Sequence, residues 1–289
     1  MKKHLSTILL VLVFLTGLSV LLYPTVSNYV NSKSQSVAIA SYVERKDQLD
    51  TASYDDMMAE AKAYNEQIKT DPGRFAIQGE TKNQYLCLLG SNGGAVGYIE
   101  IDSIDVTLPI YLGDSPAVLK AGIGTMPGSS LPIGGAGTHS VLTGHRGLPS
   151  SKLFTNLDKV EVGDMFVLHI LNEVLTYQVD QIRIVEPQDL SELEIQPEQD
   201  LCTLITCTPY GINTHRLLVR GHRIENSGQT NEINHHVTAD AIQVDNFLVV
   251  SVLAVPLLLV LAVMVIWFLR DRKGPGKREK KKTRPRHRI

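Results

Sequence analysis

The chain has 289 residues, 43% of them apolar and 20% charged, which is enough to build a packed core and excludes wholesale disorder. Three Cys with no CxxC pair exclude a disulfide-stapled mini-fold and a Cys-based zinc ribbon. The net charge of −2 conceals a division. Residues 24–246 carry 15 Lys/Arg against 28 Asp/Glu, whereas residues 270–289 carry eleven Lys/Arg against Asp271 and Glu279. So acidic a body does not bind nucleic acid by neutralising phosphates.

Two uncharged apolar runs, 5–23 and 247–269, each have roughly the 20 residues that a helix needs to cross a bilayer. Lys2 and Lys3 precede the first run and the basic tail follows the second, so both termini are expected in the cytoplasm and residues 24–246 outside. Pro256 within the second run is tolerated in a membrane helix, and Trp267 suits an interface. A cleaved signal peptide is the alternative for 5–23. Its apolar stretch is longer than usual, however, and the small residues Ala38 and Ala40 lie far downstream. An apolar run with a basic tail also ends Gram-positive wall-sorting signals, but residues 237–245 contain no LPxTG-like pentapeptide. The second run is therefore read as a permanent anchor.

Between the runs, 24–52 are polar and suit a stalk or the start of a helix. Residues 54–68 are rich in Ala, Met, Glu and Lys and predict a helix, with Ser53 or Asp55 as cap and a stop at Asp71-Pro72-Gly73. Residues 71–95 read as loop. From Gly97 on, short β-rich segments bounded by Gly, Pro, Asp or Asn recur at 98–101, 106–112, 141–143, 165–171, 174–185, 201–206 and 217–219. Spacing of this kind predicts a mainly β barrel or sandwich, with short helices at 117–121 and 152–157.

The chemistry-bearing residues sit in three segments. Cys207 ends a β-rich run at a Pro-containing turn. Cys202, five positions earlier, faces the other way on a straight strand and is the packing candidate. His145, between Gly144 and Arg146-Gly147 at a strand end, can serve as acid or base or pair with a thiolate. His139, His169, His215 and His222 lack such a context. Arg216 follows Cys207 by nine residues with a turn between, the offset of a hairpin return, and its guanidinium suits an oxyanion or a substrate carbonyl. Arg220 and Arg223 read as solvated strand charges. Cys87 and Cys202 are expected as free thiols.

These segments resemble the sortase family. The TLxTC pattern stands at Thr203–Cys207, the downstream strand Arg at Arg216 and the Gly-His segment at His145. The longer text LTGHRGLPSSKLFTNL and TCTPYGINTHRLLVRGHR is similar to class C, the pilus-associated branch. The resemblance implies an eight-stranded sortase-type β-barrel over 97–225, preceded by an N-terminal helix and lid region (24–96), followed by a linker (226–246), and flanked by transmembrane helices at 1–23 and 247–269 with the cytoplasmic tail at 270–289. It implies a cysteine transpeptidase with Cys207 as nucleophile, His145 as general acid/base and Arg216 as oxyanion or substrate stabiliser, and Leu204 and Thr206 touching substrate. It implies LPxTG-bearing partners, pilin subunits among them, with a pilin lysine as acceptor, and neither cofactor nor metal. Wall anchoring onto a peptidoglycan amine, and a non-catalytic adaptor that binds sorting signals, are the alternatives. Class C proteins carry a lid with an Asp-Pro-aromatic segment. Here Asp71-Pro72 is followed by Gly73, and Phe75 comes two positions late, so a re-registered lid is expected, with Asp71 near Arg216 and Phe75 over Cys207.

Overall fold

The structure, a computed structural model, describes residues 2–77 and 79–226, without the side chains of 2–10, 12, 13 and 80. Most of the expected linker, the second apolar run and the basic tail lie outside the described residues. The chain divides into two units. One joins Met1–Leu18 with Val244–Ile289, and only the start of a helix is described in it; the other is Ser19–Gln243.

Helix α1 (Lys2–Asp47) contains the first apolar run and Pro24, and continues through the segment expected as a stalk. Among the described residues no helix is long and apolar enough to cross a membrane. Helix α2 (Thr51–Ile68) forms where predicted, but its cap is Asp50, whose carboxylate accepts from the Ser53 N–H at 2.7 Å. Its buried residues, Met58, Ala61, Asn65 and Ile68, recur at helical spacing. The Asn65 amide makes two bonds to the Leu131 backbone, at 2.7 and 3.2 Å, so α2 grips the loop that precedes the fourth strand. Residues 71–95 are not all loop: helix α3 (Gly79–Cys87) forms there.

Eight strands close into a barrel in the order β1-β2-β3-β4-β7-β8-β6-β5. They are β1 (Gly97–Ile101), β2 (Val106–Tyr111), β3 (Ile123–Thr125), β4 (Thr138–Thr143), β5 (Met165–Ile170), β6 (Glu173–Val185), β7 (Asp200–Thr208) and β8 (His215–Arg223). Helix α4 (Pro116–Ala121) carries the chain from β2 to the parallel β3, capped by the Ser115 hydroxyl. The second expected short helix, 152–157, is a series of turns with a 3-10 turn at Leu157–Lys159. Alternation sorts each strand into an inner face and an outer one. Ile99, Ile110, Leu142, Leu168, Tyr177, Cys202, Leu204, Leu217 and Val219 fill the barrel. A smaller apolar cluster of Val141, Leu193, Ile205 and Leu218 lies on the outer side of β4, β7 and β8. That second cluster explains why β7 is buried on both faces, and it marks the side on which the site forms.

Candidate active site

Three neighbouring strands set the site. β7 and β8 are antiparallel, and their register pairs Cys207 directly with Arg216. Directly opposed residues share a face, so the thiol and the guanidinium project on the same outer side. β4 runs parallel to β7 on its other flank, with Thr143 opposite Ile205, and the Gly144 N–H still donates to the Ile205 carbonyl at 3.0 Å. His145 stands in the turn two residues past Thr143, as Cys207 stands two residues past Ile205, so both lie at the same end of these parallel strands. Gly144 is dictated by space: a Cβ there would lie 2.6 Å from the Phe154 ring and 3.0 Å from Ile123. His145, Cys207 and Arg216 are each partly exposed. Burial lowers the imidazole's pKa below the ordinary histidine value, which favours the neutral ring. Arg216 Nη1 donates to the His215 and Asn213 carbonyls at 3.1 and 3.4 Å, which holds the guanidinium at the turn.

Of the sequence-derived candidates, the structure brings His145, Cys207 and Arg216 together and turns two others away. Leu204 is wholly buried in the barrel core. Thr206 points inward and donates its hydroxyl to the Gly144 carbonyl at 2.8 Å. Both occupy the inner phase of β7, opposite to Cys207, so neither side chain projects onto the outer face. Thr206 instead ties β7 to the turn that carries His145. Cys202 is the packing residue expected, with a thiol pKa raised well above its ordinary value by burial. All three cysteines are free.

The outer face below Cys207 is covered. Phe75 packs against the cluster of Val141, Leu193, Ile205 and Leu218, and Ile205 is two residues from Cys207 in the same phase. Arg74, whose side chain is only 6% exposed, donates to the Leu193 carbonyl and the Glu194 carboxylate, both at 3.1 Å, and lies over the Phe75 ring at 4.6 Å. Asp71 accepts from the Gly73 N–H at 2.7 Å, turning back on its own loop and not toward Arg216. Beneath this cover His139 is 1% exposed, its Nδ1 2.9 Å from the Glu194 carbonyl and its Nε2 2.7 Å from the Thr203 hydroxyl. Burial, with Arg220 and Arg74 nearby, lowers its pKa to about 4. Neither Arg74 nor His139 stood out in the sequence, because each acts through residues more than 50 positions away. Arg220 is not a solvated charge: it pairs with Asp180 at 3.0 and 3.2 Å.

The loop beyond His145 is braced from a distance. Asn31 of α1 donates to the Ser150 carbonyl at 2.7 Å and Gln35 to the Ser151 hydroxyl at 3.3 Å, while Asn28 accepts from the Lys152 N–H at 2.9 Å. The Phe154 N–H then donates to the His145 carbonyl at 3.1 Å. Three amides on one helix stripe thus hold the segment that returns to the imidazole. Among the described residues, no group of three or more His, Cys, Asp or Glu is arranged to hold a metal ion.

Residues 99–224 match the family model described as a sortase domain. The chain is 30% identical over 135 residues to sortase D of Bacillus subtilis, a match covering 46% of this chain and 65% of that protein. It is 51% identical to the crystal structure of sortase C1 from Streptococcus agalactiae, with a TM-score of 0.63 over 65% of this chain and 98% of that one. It is 45% identical to a sortase C from Clostridium perfringens with the C-terminal cell wall sorting motif, with a TM-score of 0.58 over 65% and 98%.

Two outcomes follow from this geometry. An unfolded His139 titrates near 6.5 and the folded one near 4, so the unfolded state binds the extra proton between them. Stability present above pH 6.5 is lost by about 3 kcal/mol as the pH falls to about 4. Urea midpoints across that range will show the slope, and His139→Gln will flatten it; an equal slope in the variant refutes the assignment. Removing the brace with Asn28→Ala, Asn31→Ala and Gln35→Ala together will let water reach the loop and raise the His145 titration midpoint toward 6.5, read by NMR of its ring protons. An unmoved midpoint means that the three amides do not position the imidazole.

Proposed function

The chain belongs to the sortase family, whose members are cysteine transpeptidases, and on that premise we propose that it is a membrane-anchored class C enzyme that cleaves LPxTG-like sorting signals and joins pilin subunits through lysine isopeptide bonds. The observation that carries the reading is the direct Cys207–Arg216 pair with His145 in the turn that ends the adjoining parallel strand. The likeness to sortases C at 45–51% identity favours the class. The exposed apolar residues Val20, Leu21 and Tyr23 of α1 suit an anchor at the outer boundary of the first apolar run.

In this mechanism the Cys207 sulfur attacks the carbonyl carbon of the scissile Thr–Gly bond. The neutral His145 ring takes the thiol's proton as the C–S bond forms, and gives it to the leaving amine as the C–N bond breaks. Arg216 donates to the carbonyl oxygen as negative charge develops on it. A lysine amine then attacks the thioester and the steps reverse: the new C–N bond forms, His145 takes the amine's proton, and the sulfur leaves as thiolate. The thioester conserves the acyl-transfer potential of the cleaved bond, so the reaction runs outside the cell without a nucleotide. The sorting signal lies along the outer face floored by Val141, Ile205 and Leu218, which Phe75 and its segment cover as a lid.

The full chain in detergent, incubated with an LPxTG peptide, will gain the mass of the acyl fragment. Cys207→Ala will not, and Arg216→Lys will lose about 10²–10³ in rate, the usual loss for one oxyanion donor. No adduct on the wild type favours a binding protein without turnover, whereas transfer to a glycine amine but not to lysine assigns wall anchoring. Phe75→Ala will raise the alkylation rate of Cys207 by iodoacetamide several-fold, because it removes the ring from the outer cluster. An unchanged rate in the Asp71→Ala, Phe75→Ala double variant refutes the lid.

A further inference from the structure

A cavity of about 430 Å³ opens at the end of the barrel on the far side of β7 from the covered face. Its walls come from the residues that immediately follow the two reacting groups. Arg146 follows His145, and Thr208, Pro209 and Tyr210 follow Cys207. Leu157, Leu217 and Ile182 form its apolar base, and Ile184 stands at its mouth. None of these residues belongs to the machinery assigned above.

The cavity has two properties of a binding site. First, it contains an unused donor. The Arg146 side chain is only 9% exposed; its Nη2 pairs with Asp158 at 2.6 Å and its Nη1 donates to the Thr208 hydroxyl at 3.3 Å, yet its Nε–H has no acceptor. A buried guanidinium N–H left unpaired costs free energy that a ligand carbonyl recovers on binding. Second, its surroundings are apolar where strand and turn surfaces are ordinarily polar. Ile184, Tyr210 and Ile212 are 64%, 60% and 67% exposed. Outside α1, the other large apolar side chain exposed to this degree among the described residues is Val162. Exposed aliphatic and aromatic groups beside a pocket with a few polar anchors, here Arg146, Asp158, Arg183 and Thr208, are the signature of a surface that meets protein.

We propose that this cavity docks the acceptor polypeptide, the segment that presents the attacking lysine to the thioester. The inference rests on the transpeptidase reading and adds the site of its second substrate. If the sorting signal occupies the outer face on one flank of Cys207, the amine must arrive from the other flank, where the leaving amine departed and His145 can receive its proton. The cavity adjoins the reacting groups: Tyr210 is three residues past Cys207, and Ile184 pairs with Leu217, the neighbour of Arg216. The Arg146 Nε–H takes a backbone carbonyl of that segment. The Asp158 carboxylate, 44% exposed on the rim, faces the ammonium before it loses its proton, and the acidic body draws the cationic segment in. In the step itself the lysine nitrogen forms a bond to the thioester carbon, the C–S bond breaks, the nitrogen's proton passes to His145, and the sulfur leaves as thiolate.

The thioacyl enzyme divides between water and amine, and that partition is the readout. The full chain in detergent is loaded with an LPxTG peptide, and a valine-flanked lysine hexapeptide or triglycine is added over a concentration series. The ratio of lysine-joined to hydrolysed product at subsaturating hexapeptide is expected to fall about tenfold in Ile184→Asp and in Tyr210→Ala, the usual loss for one apolar anchor at an interface. Ile184→Val is expected to restore it. Both residues are mostly exposed, so neither change threatens folding. A partition that neither variant moves overturns the cavity as the acceptor site while leaving the transpeptidase intact. A loss confined to triglycine transfer overturns the polypeptide occupant in favour of a wall amine. Failure of the wild type to form any thioacyl adduct overturns the transpeptidase reading itself, and the acceptor assignment with it.

Discussion

The site depends on one pairing: β7 lies between a parallel neighbour and an antiparallel one. Sequential strands usually sit side by side, but here β4 reaches β7 across the 56 residues of intervening chain, 144–199. Because β4 runs parallel to β7, both strands end at the same level, and because β8 returns antiparallel, it begins there. Three chain ends converge at one edge of the barrel, each supplying one side chain. A one-residue slip in either register would turn Cys207 into the core and bring Cys202 out.

That constraint organises the surroundings. The barrel core fixes the inner phase of β4, β7 and β8 and leaves the outer phase apolar at Val141, Ile205 and Leu218. An apolar outer face needs a cover, and Phe75, Leu193 and Leu190 provide it, pinned by Arg74 and by the His139–Glu194 contact. The imidazole's approach is set from both sides: Gly144 lets its backbone close on Phe154, and α1 holds the loop that follows. Polar groups that looked ordinary in isolation thus act as ties between distant segments.

How far the sequence revealed this follows from the range of the forces involved. Seven of the eight strands stood out, since alternation and flanking turn residues are local. β3 did not, being three residues with a central glycine and held by a parallel partner. The nine-residue offset placed Arg216 beside Cys207 correctly, because a hairpin is a local object. The same alternation that assigned Cys202 to the core also assigns Leu204 and Thr206 to the inner side, so their expected substrate contact conflicts with the strand's own period. The stripe of Asn28, Asn31 and Gln35 was invisible, since polar residues on a helix read equally well as a solvated face until the loop they grip is in place. Asp71 stood at the expected position but bonds within its own turn, a nearer partner than Arg216.

The guanidinium of Arg74 gives the cover an unusual energetic character. A wholly apolar plug would be held by the area it hides and would resist lifting in proportion. Here the same segment also withdraws a cation from water, satisfied by one carbonyl and one mostly exposed carboxylate, with its Nε unpaired. Raising the segment wets the aromatic ring and the cluster beneath it, but returns the cation to full hydration. The two solvation changes oppose each other, so the packing of this segment rests on the difference between them. Such packing responds to temperature and to ions more than its buried area suggests: cooling weakens the apolar attraction and not the hydration, and salt screens the carboxylate.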